Sequence, residues 1–366
     1  MTRSATDWVA ALSPWPAGGF GTERMRSLLQ RLGDPQLEYE CVHVVGTNGK
    51  STTTRMTEAL LADTGLHVGA YLSPHVRGWS ERIRVGGAEA DFERAVARVR
   101  PVAADATQFE ILTAAALAEF AAAGVDAAVV EAGLGGRHDA TNVLRTRVVC
   151  LTNVALDHMD VLGETREEIA AEKLAVVQPG CTVVLGQAEW EELARANGAA
   201  DVVVAGASNL ALATAAAEAF TGGQVDPHAA DGVVLPGRLE RRSDEPLEIW
   251  DGAHNLAGLG YLLPRLPARD YVVVASILSD KRPELMLEAL SVLGDTLVAT
   301  ESSNARALPA GDLASRAKPY FQHVEPIAPA DEARSRALAL AGPSGAVVVT
   351  GSLYLLAELS GSGTDP

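Results

Sequence analysis

Apolar residues fall into short unbroken runs separated by stretches with helical spacing. CVHVV at 41–45, HVGAY at 67–71, DAAVVE at 126–131, VVCLT at 148–152 and TVVL at 182–185 read as strands. Between them, 51–63, 108–122 and 166–177 read as helices. In the last, TREEIAAEKLAVV, Ile169, Leu174, Val176 and Val177 share a broad apolar face. Strands that are apolar on both faces and alternate with helices predict a parallel sheet covered on both sides. A second alternation follows LPGRLERRSDEP, with strands at 247–250, 271–275, 296–299 and 346–350. The Pro, Gly and charged residues of 236–246 predict a linker. The expected fold is α/β with two domains: residues 1–236, a linker at 237–246, and a smaller Rossmann-like α/β domain at 247–366.

Composition narrows the class. A length of 366 residues suffices for two buried cores, and 48% hydrophobic with 21% charged residues is a globular profile. The start, MTRSATDWVA, has no apolar signal core, and no run of about twenty apolar residues follows. A cytoplasmic enzyme without a membrane partner is expected. The formal charge of −17 argues against nucleic acid and acidic membranes as partners. It does not argue against an anionic substrate, because lysines, metal ions and helix N-termini can reverse the field inside a cleft. Cys41, Cys150 and Cys181 lack CxxC spacing, so no structural zinc or disulfide framework is expected. Cys41 and Cys150 lie in apolar runs and read as buried thiols.

Candidate chemistry begins at 42–56, VHVVGTNGKSTTTRM. A full GxxxxGK[ST] loop would need Gly where Val44 stands, so the pattern is the shorter GxxGKS. Its physics is the same. Backbone N–H groups of Gly46, Thr47, Asn48 and Gly49 and a helix N-terminus face phosphate, Lys50 adds charge, and a hydroxyl of Ser51 or Thr52 can reach Mg²⁺. In parallel α/β sheets ligands gather at the carboxyl ends of strands. Three expected strands end in metal-competent groups: Ser73-Pro74-His75, Glu131, and Asp157-His158. Hard oxygens with one imidazole suit Mg²⁺ on nucleotide phosphates better than zinc. Singly, Glu131 also reads as a solvated strand end and His158 as a packed or surface histidine.

GTNGKS, SPHVRGWSERIRV, EAGLGGRHDATNV, LDHMDVLGET, EKLAVVQPG, PGRLE, DGAHN and VVVTGSLYL occur in the order seen in the folylpolyglutamate synthase/dihydrofolate synthase family of the Mur ligase superfamily. The resemblance runs from about Gly21 to the last helix. It implies an ATP-dependent amide ligase that adds L-glutamate to dihydropteroate, to reduced folates, or to both. In such a ligase the carboxylate takes the γ-phosphoryl group, and the amine attacks the resulting acyl phosphate. By that resemblance Lys50 neutralises phosphate, Ser73 and Glu131 hold one Mg²⁺, and His158 serves a second. Lys173 matches a lysine that is commonly carbamoylated in the superfamily. Without the resemblance it reads as a solvated partner of Glu172. Asn209 resembles an adenine contact, and Arg238, Asp251 and His254 match positions that reach the nucleotide across the domain junction. Without it, Arg238 reads as a linker arginine paired to Glu240. A monomer that closes over ATP by a hinge is implied.

Departures from the family pattern bear on the site. The family usually has GKGS, whereas Ser51 here follows Lys50 directly, leaving open whether Ser51 or Thr52 meets the metal. The region between Gly186 and Asn209 is short, and Ala205-Gly206-Ala207-Ser208 replaces a usual His-Gln pair. Leu256 stands where GAHNP is usual. Trp79 and Phe109 are candidate stacking partners for a pterin, with a core role expected for Phe109. Rival readings are another Mur-type amino-acid ligase and an ATP-binding paralogue without activity. The short stretch before the loop leaves no room for a UDP-binding domain of the usual size. A phosphate-loop switch or kinase is a further rival, and no HRD or DFG set is present.

Overall fold

The apolar runs become strands buried on both faces. In the computed structural model, which describes residues 4–16 and 18–361, the first sheet contains β1 (Glu40–Val45), β2 (Val68–Tyr71), β3 (Ile83–Val85), β4 (Ala88–Glu89), β5 (Ala127–Glu131), β6 (Thr146–Leu151), β7 (Thr182–Leu185) and β8 (Asp201–Val204). Their order is β4-β3-β2-β5-β1-β6-β7-β8, with β3 and β4 antiparallel and the rest parallel. The apolar β1 therefore lies inside the sheet, with Val44 opposite Glu131 on one side and Cys150 on the other. Alternate residues feed two helical layers. Val42, Val44, Val129 and Cys150 face the helices Lys50–Asp63 and Asn209–Thr221. Cys41, Tyr71, Ala128 and Val130 face Gln108–Ala123, while Val149, Leu151 and Val183 face Arg166–Leu174.

The helix Gln108–Ala123 is apolar nearly all round and is buried nearly all round. Thr107 and Glu110 form a reciprocal capping box at its start, and Gly124 ends it in the left-handed region at φ 64°. The helix expected over 166–177 stops at Leu174. Pro179 follows, and a residue before proline is pushed out of the helical region. Val176 and Val177 still reach the core.

Contacts divide the chain into two compact units: the described residues up to Pro74 with Trp79–Val233, and His75–Gly78 with the described residues from Val234 onward. The second unit holds β9 (Glu240–Asp244), β10 (Leu247–Trp250), β11 (Tyr271–Ala275), β12 (Thr296–Ala299), β13 (His323–Pro326) and β14 (Ala346–Thr350), in the order β13-β12-β11-β14-β10-β9. Only β9 is antiparallel among the described strands of this sheet. It occupies part of the expected linker. An edge strand needs no apolar face of its own, so ERRSD pairs with β10 through its backbone while its side chains stay largely exposed.

Candidate active site

The sheet delivers the phosphate loop at the carboxyl end of β1. Gly46 has φ 147° and Gly49 has φ 81°, conformations that glycine adopts without strain. A side chain on Gly46 would also run into Thr152, and one on Gly49 into the carboxamide of Asn209. The loop is held from the neighbouring strand end. Asn153 accepts from the Asn48 backbone N–H at 3.0 Å and donates back to the Asn48 carbonyl at 2.9 Å. Thr152 donates to that carbonyl at 2.8 Å, and Thr47 N–H donates to the Asn153 carbonyl at 2.9 Å. The Thr47 and Asn48 amides are thus spent on Asn153, which holds the shape of the loop before any ligand arrives.

Beyond the loop, side chains from distant parts of the sequence converge. The Ser51 hydroxyl donates to Glu131 Oε1 at 3.0 Å, and the Ser73 backbone N–H donates to Oε2 at 3.0 Å. Glu131, Ser51 and Ser73 are all buried. Thr52 is half-buried, so Ser51 is the loop hydroxyl that meets the carboxylate. The Ser51 hydroxyl and the Glu131 carboxylate are hard oxygens of the kind magnesium takes. His158 sits at φ 50° before the short helix Met159–Leu162, its Nε2 4.0 Å from Asp157 Oδ1. Among the described residues no group of three or more His, Cys, Asp or Glu side chains gathers as a metal cluster. Any second metal position at His158 would therefore be completed by phosphate or water.

Lys173 departs most from its bland reading. It is 4% exposed, and its Nζ donates to the Gly46 carbonyl at 2.9 Å. Glu172 is taken instead by Arg137 at 3.2 Å. Burial, helped by the neighbouring Lys50 charge, lowers the Lys173 amine from 10.5 to about 7, against the opposing pull of Asp157, Asp139 and Glu172. Such an amine is substantially neutral at physiological pH. Lys50 itself donates to the Thr47 carbonyl at 3.3 Å.

In the second unit, Asp251 accepts from the Leu239 and Ala253 backbone N–H groups at 2.8 and 2.9 Å. Burial raises its carboxyl pKa, while Arg238, these backbone donors and His254 pull it down. Glu240 is held by Arg77 and Arg242, both at 2.9 Å, and by the Gly237 N–H at 2.7 Å. Arg238 is therefore not the partner of Glu240 that a linker arginine would be. His254 Nδ1 lies 2.9 Å from the Gly252 carbonyl. Both aromatic candidates pack with the hydrophobic core of the first unit, Phe109 as expected. Trp79 is buried, stacked on Phe92 at 6.3 Å between ring centroids and with the Arg82 guanidinium carbon 5.1 Å from its own, whereas Phe109 is half-buried beside Tyr71.

Asn153, Thr152 and Asp139 were not singled out from the sequence. The TN pair at the end of VVCLT was the available signal, since polar residues at a strand end beside a phosphate loop must satisfy its backbone. All three cysteines are buried and free, and burial raises Cys150 to about 12.

A glycine loop ending a parallel strand, with a hydroxyl–carboxylate pair and a buried lysine against it, is the arrangement of a nucleotide-binding enzyme, and the comparisons with known proteins give its class. The model of the Mur ligase middle domain matches residues 44–229, and that of the Mur ligase glutamate ligase domain matches residues 237–353. The chain is 32% identical to a Mycobacterium tuberculosis dihydrofolate synthase/folylpolyglutamate synthase, over 81% of this chain and 77% of that protein. It is 28% identical to the Bacillus subtilis dihydrofolate synthase/folylpolyglutamate synthase, over 93% and 94%. Among solved structures, E. coli FolC with DHPP and ADP superposes with a TM-score of 0.88 at 29% identity, covering 98% of this chain and 97% of that one. The Yersinia pestis bifunctional enzyme with Mn, AMPPNP and L-glutamate gives 0.85 at 29%, covering 98% of each. The chain belongs to the dihydrofolate synthase/folylpolyglutamate synthase family.

Proposed function

We propose that the protein is an ATP-dependent ligase that adds L-glutamate to the carboxylate of dihydropteroate, of a reduced folate, or of both, forming ADP and phosphate. The observation that carries this reading is the convergence of Lys50, the Ser51–Glu131 pair and the buried Lys173 on one phosphate loop. The substrate carboxylate attacks the γ-phosphorus, and the bond to the ADP oxygen breaks. The amine of glutamate then attacks the acyl carbon, loses a proton, and expels phosphate. The loop amides and Lys50 hold the phosphates in line and neutralise charge as it moves. Magnesium, when bound, spreads that charge further, and Ser51, Ser73, Glu131 and His158 are the residues assigned to hold it.

Lys173 is assigned as a carbamate. Its neutral amine would attack CO₂, forming an N–C bond and releasing one proton, which turns the amine into a two-oxygen anion. The depressed amine favours this. Asn209, Arg238, Asp251 and His254 are assigned to the nucleotide on family resemblance. An ionised carboxylate has about four lone-pair sites, so Asp251 keeps room for a ribose hydroxyl beside its two backbone donors. A small-molecule enzyme acting in the cytoplasm as a monomer completes the reading. Among the described residues, no helix is long and apolar enough to cross a membrane.

The test is ATP turnover with Mg²⁺ and glutamate, with dihydropteroate in one reaction and tetrahydrofolate in another, and mass detection of product. A glutamate adduct on dihydropteroate alone makes it a dihydrofolate synthase, on tetrahydrofolate alone a polyglutamylating enzyme, and on both a bifunctional one. ATP binding without an adduct in either reaction removes the folate assignment.

A further inference from the structure

His43 is a titratable side chain sealed in the middle of β1, 1% exposed, and no step above uses it. Its Nε2 lies 2.8 Å from Thr141 Oγ1, and the Thr141 hydroxyl donates to Asp139 Oδ1. A hydroxyl has one proton, and here it goes to the carboxylate. The proton between His43 and Thr141 must therefore belong to His43 Nε2. Burial lowers His43 to about 3 and raises the Asp139 carboxyl, against the pull of Thr141 and of the Leu134, Thr141 and Gly133 amides; with Asp139 ionised, the chain runs from His43 to Thr141 to Asp139. Asp139 in turn accepts from the Leu134 N–H at 2.8 Å through Oδ2 and from the Thr141 N–H at 2.9 Å through Oδ1.

Those contacts brace one segment. Residues 133–137 connect Glu131, which accepts from Ser51, to the helix that carries Lys173. Gly136 lies so close to the Lys173 and Glu172 carbonyls that a Cβ there would collide, and the Arg137 N–H donates to the Glu172 carbonyl at 3.0 Å. We propose that the buried chain His43–Thr141–Asp139 sets this segment and through it the spacing of Glu131 and Lys173, making His43 and Thr141 positioning residues for the ligase reaction. The proposal rests on the ligase reading for its kinetic consequence but not for its structural one. A buried polar chain is costly unless every member is satisfied, which is why breaking one link is expected to release the whole segment.

The experiment compares wild type with Thr141→Val, which keeps shape and removes the hydroxyl, and with Thr141→Ser, which restores it. Backbone hydrogen exchange over 133–137 is expected to quicken roughly tenfold in Thr141→Val and to recover in Thr141→Ser. With the acceptor that wild type uses, kcat is expected to fall roughly tenfold while the KM for ATP stays within about twofold. His43→Leu breaks the chain from its other end and serves if Thr141→Val does not fold. If His43 only filled the core, the folded variants would lose stability with unchanged exchange at 133–137 or unchanged kcat, and either result overturns the proposal. If wild type adds glutamate to no acceptor, the ligase reading fails, and the exchange data alone decide whether the chain holds the segment.

Discussion

Two strand ends of the molecule use polar residues in opposite ways. Where β10 and β14 end, Asp251, Asn255 and Ser352 serve backbone groups close in sequence: Asp251 holds Leu239 and Ala253, Asn255 caps Gly258 at 2.8 Å, and Ser352 caps Tyr354 at 3.1 Å. Where β1, β5 and β6 end, the partners come from far along the chain. Ser51 reaches Glu131, Lys173 reaches Gly46, and Asn153 reaches Asn48. Local caps are explained by the backbone they satisfy. A buried lysine beside another lysine is not, because desolvating a cation costs several kcal/mol unless something repays it. The strand ends of the first unit, those of β1, β5 and β6, therefore hold charge that the fold alone does not account for, and those of the second unit, β10 and β14, hold polar groups that cap their own backbone.

The largest effect expected is at Lys50. Lys50→Met removes the charge that faces phosphate while leaving the loop clamped by Asn153 and Thr152, so glutamate addition should fall by roughly a thousandfold. Circular dichroism melting should be nearly unchanged. A variant that loses its fold along with its activity would instead place Lys50 with the structural group.

Lys173 comes next, and its pH dependence has a defined sign. Its folded pKa is about 7, against 10.5 for the ordinary amine, so the folded state binds fewer protons between these values. As a free amine, Lys173 costs stability below about pH 7, where both states are protonated, and the cost is relieved as pH rises towards 10.5. The neutral form needed for carbamate formation grows through the same lower limit. At limiting CO₂, activity should therefore rise from pH 6 to pH 8 and be restored at low pH by added bicarbonate. Lys173→Arg should lose roughly a hundredfold and respond to neither. Activity indifferent to bicarbonate removal in wild type would sink the carbamate.

Ser51 and Thr52 give a smaller, cleaner contrast. Ser51→Ala should cost roughly tenfold in kcat and raise the Mg²⁺ requirement, whereas Thr52→Ala should stay within about twofold. The reverse order would make Thr52 the metal-facing hydroxyl.

The same contrast explains what could be read from sequence. Strands β1, β5, β6, β7, β11, β12 and β14 were legible because each is an apolar run buried on both faces. Edge strands were not. HVEP of β13 and ERRSD of β9 are half-exposed and placed by backbone pairing, which leaves no periodic signal. Within the site, Lys50, Ser51 and Glu131 announced themselves by position at strand ends. Asn153, His43 and Thr141 did not, since their work depends on partners about a hundred residues away, and Asp139 serves Thr141 and the Leu134 amide beside it. Lys173 was legible only through family resemblance, because its burial depends on how the helix Arg166–Leu174 meets the loop.

The smallest effect belongs to the second region and tests the comparison from the other side. Asn255 accepts from the Gly258 N–H at 2.8 Å, the ordinary business of a residue before the helix Leu256–Leu262. Asn255→Ala should cost about 1 kcal/mol of stability, as loss of an N-cap does. For 366 residues unfolding together that corresponds to roughly 1–2 °C in Tm. kcat measured well below the transition should stay within about twofold. Unchanged melting with a large fall in kcat would mean that this end of the sheet also holds its polar groups for a ligand, and the division between the two strand ends would have to be redrawn.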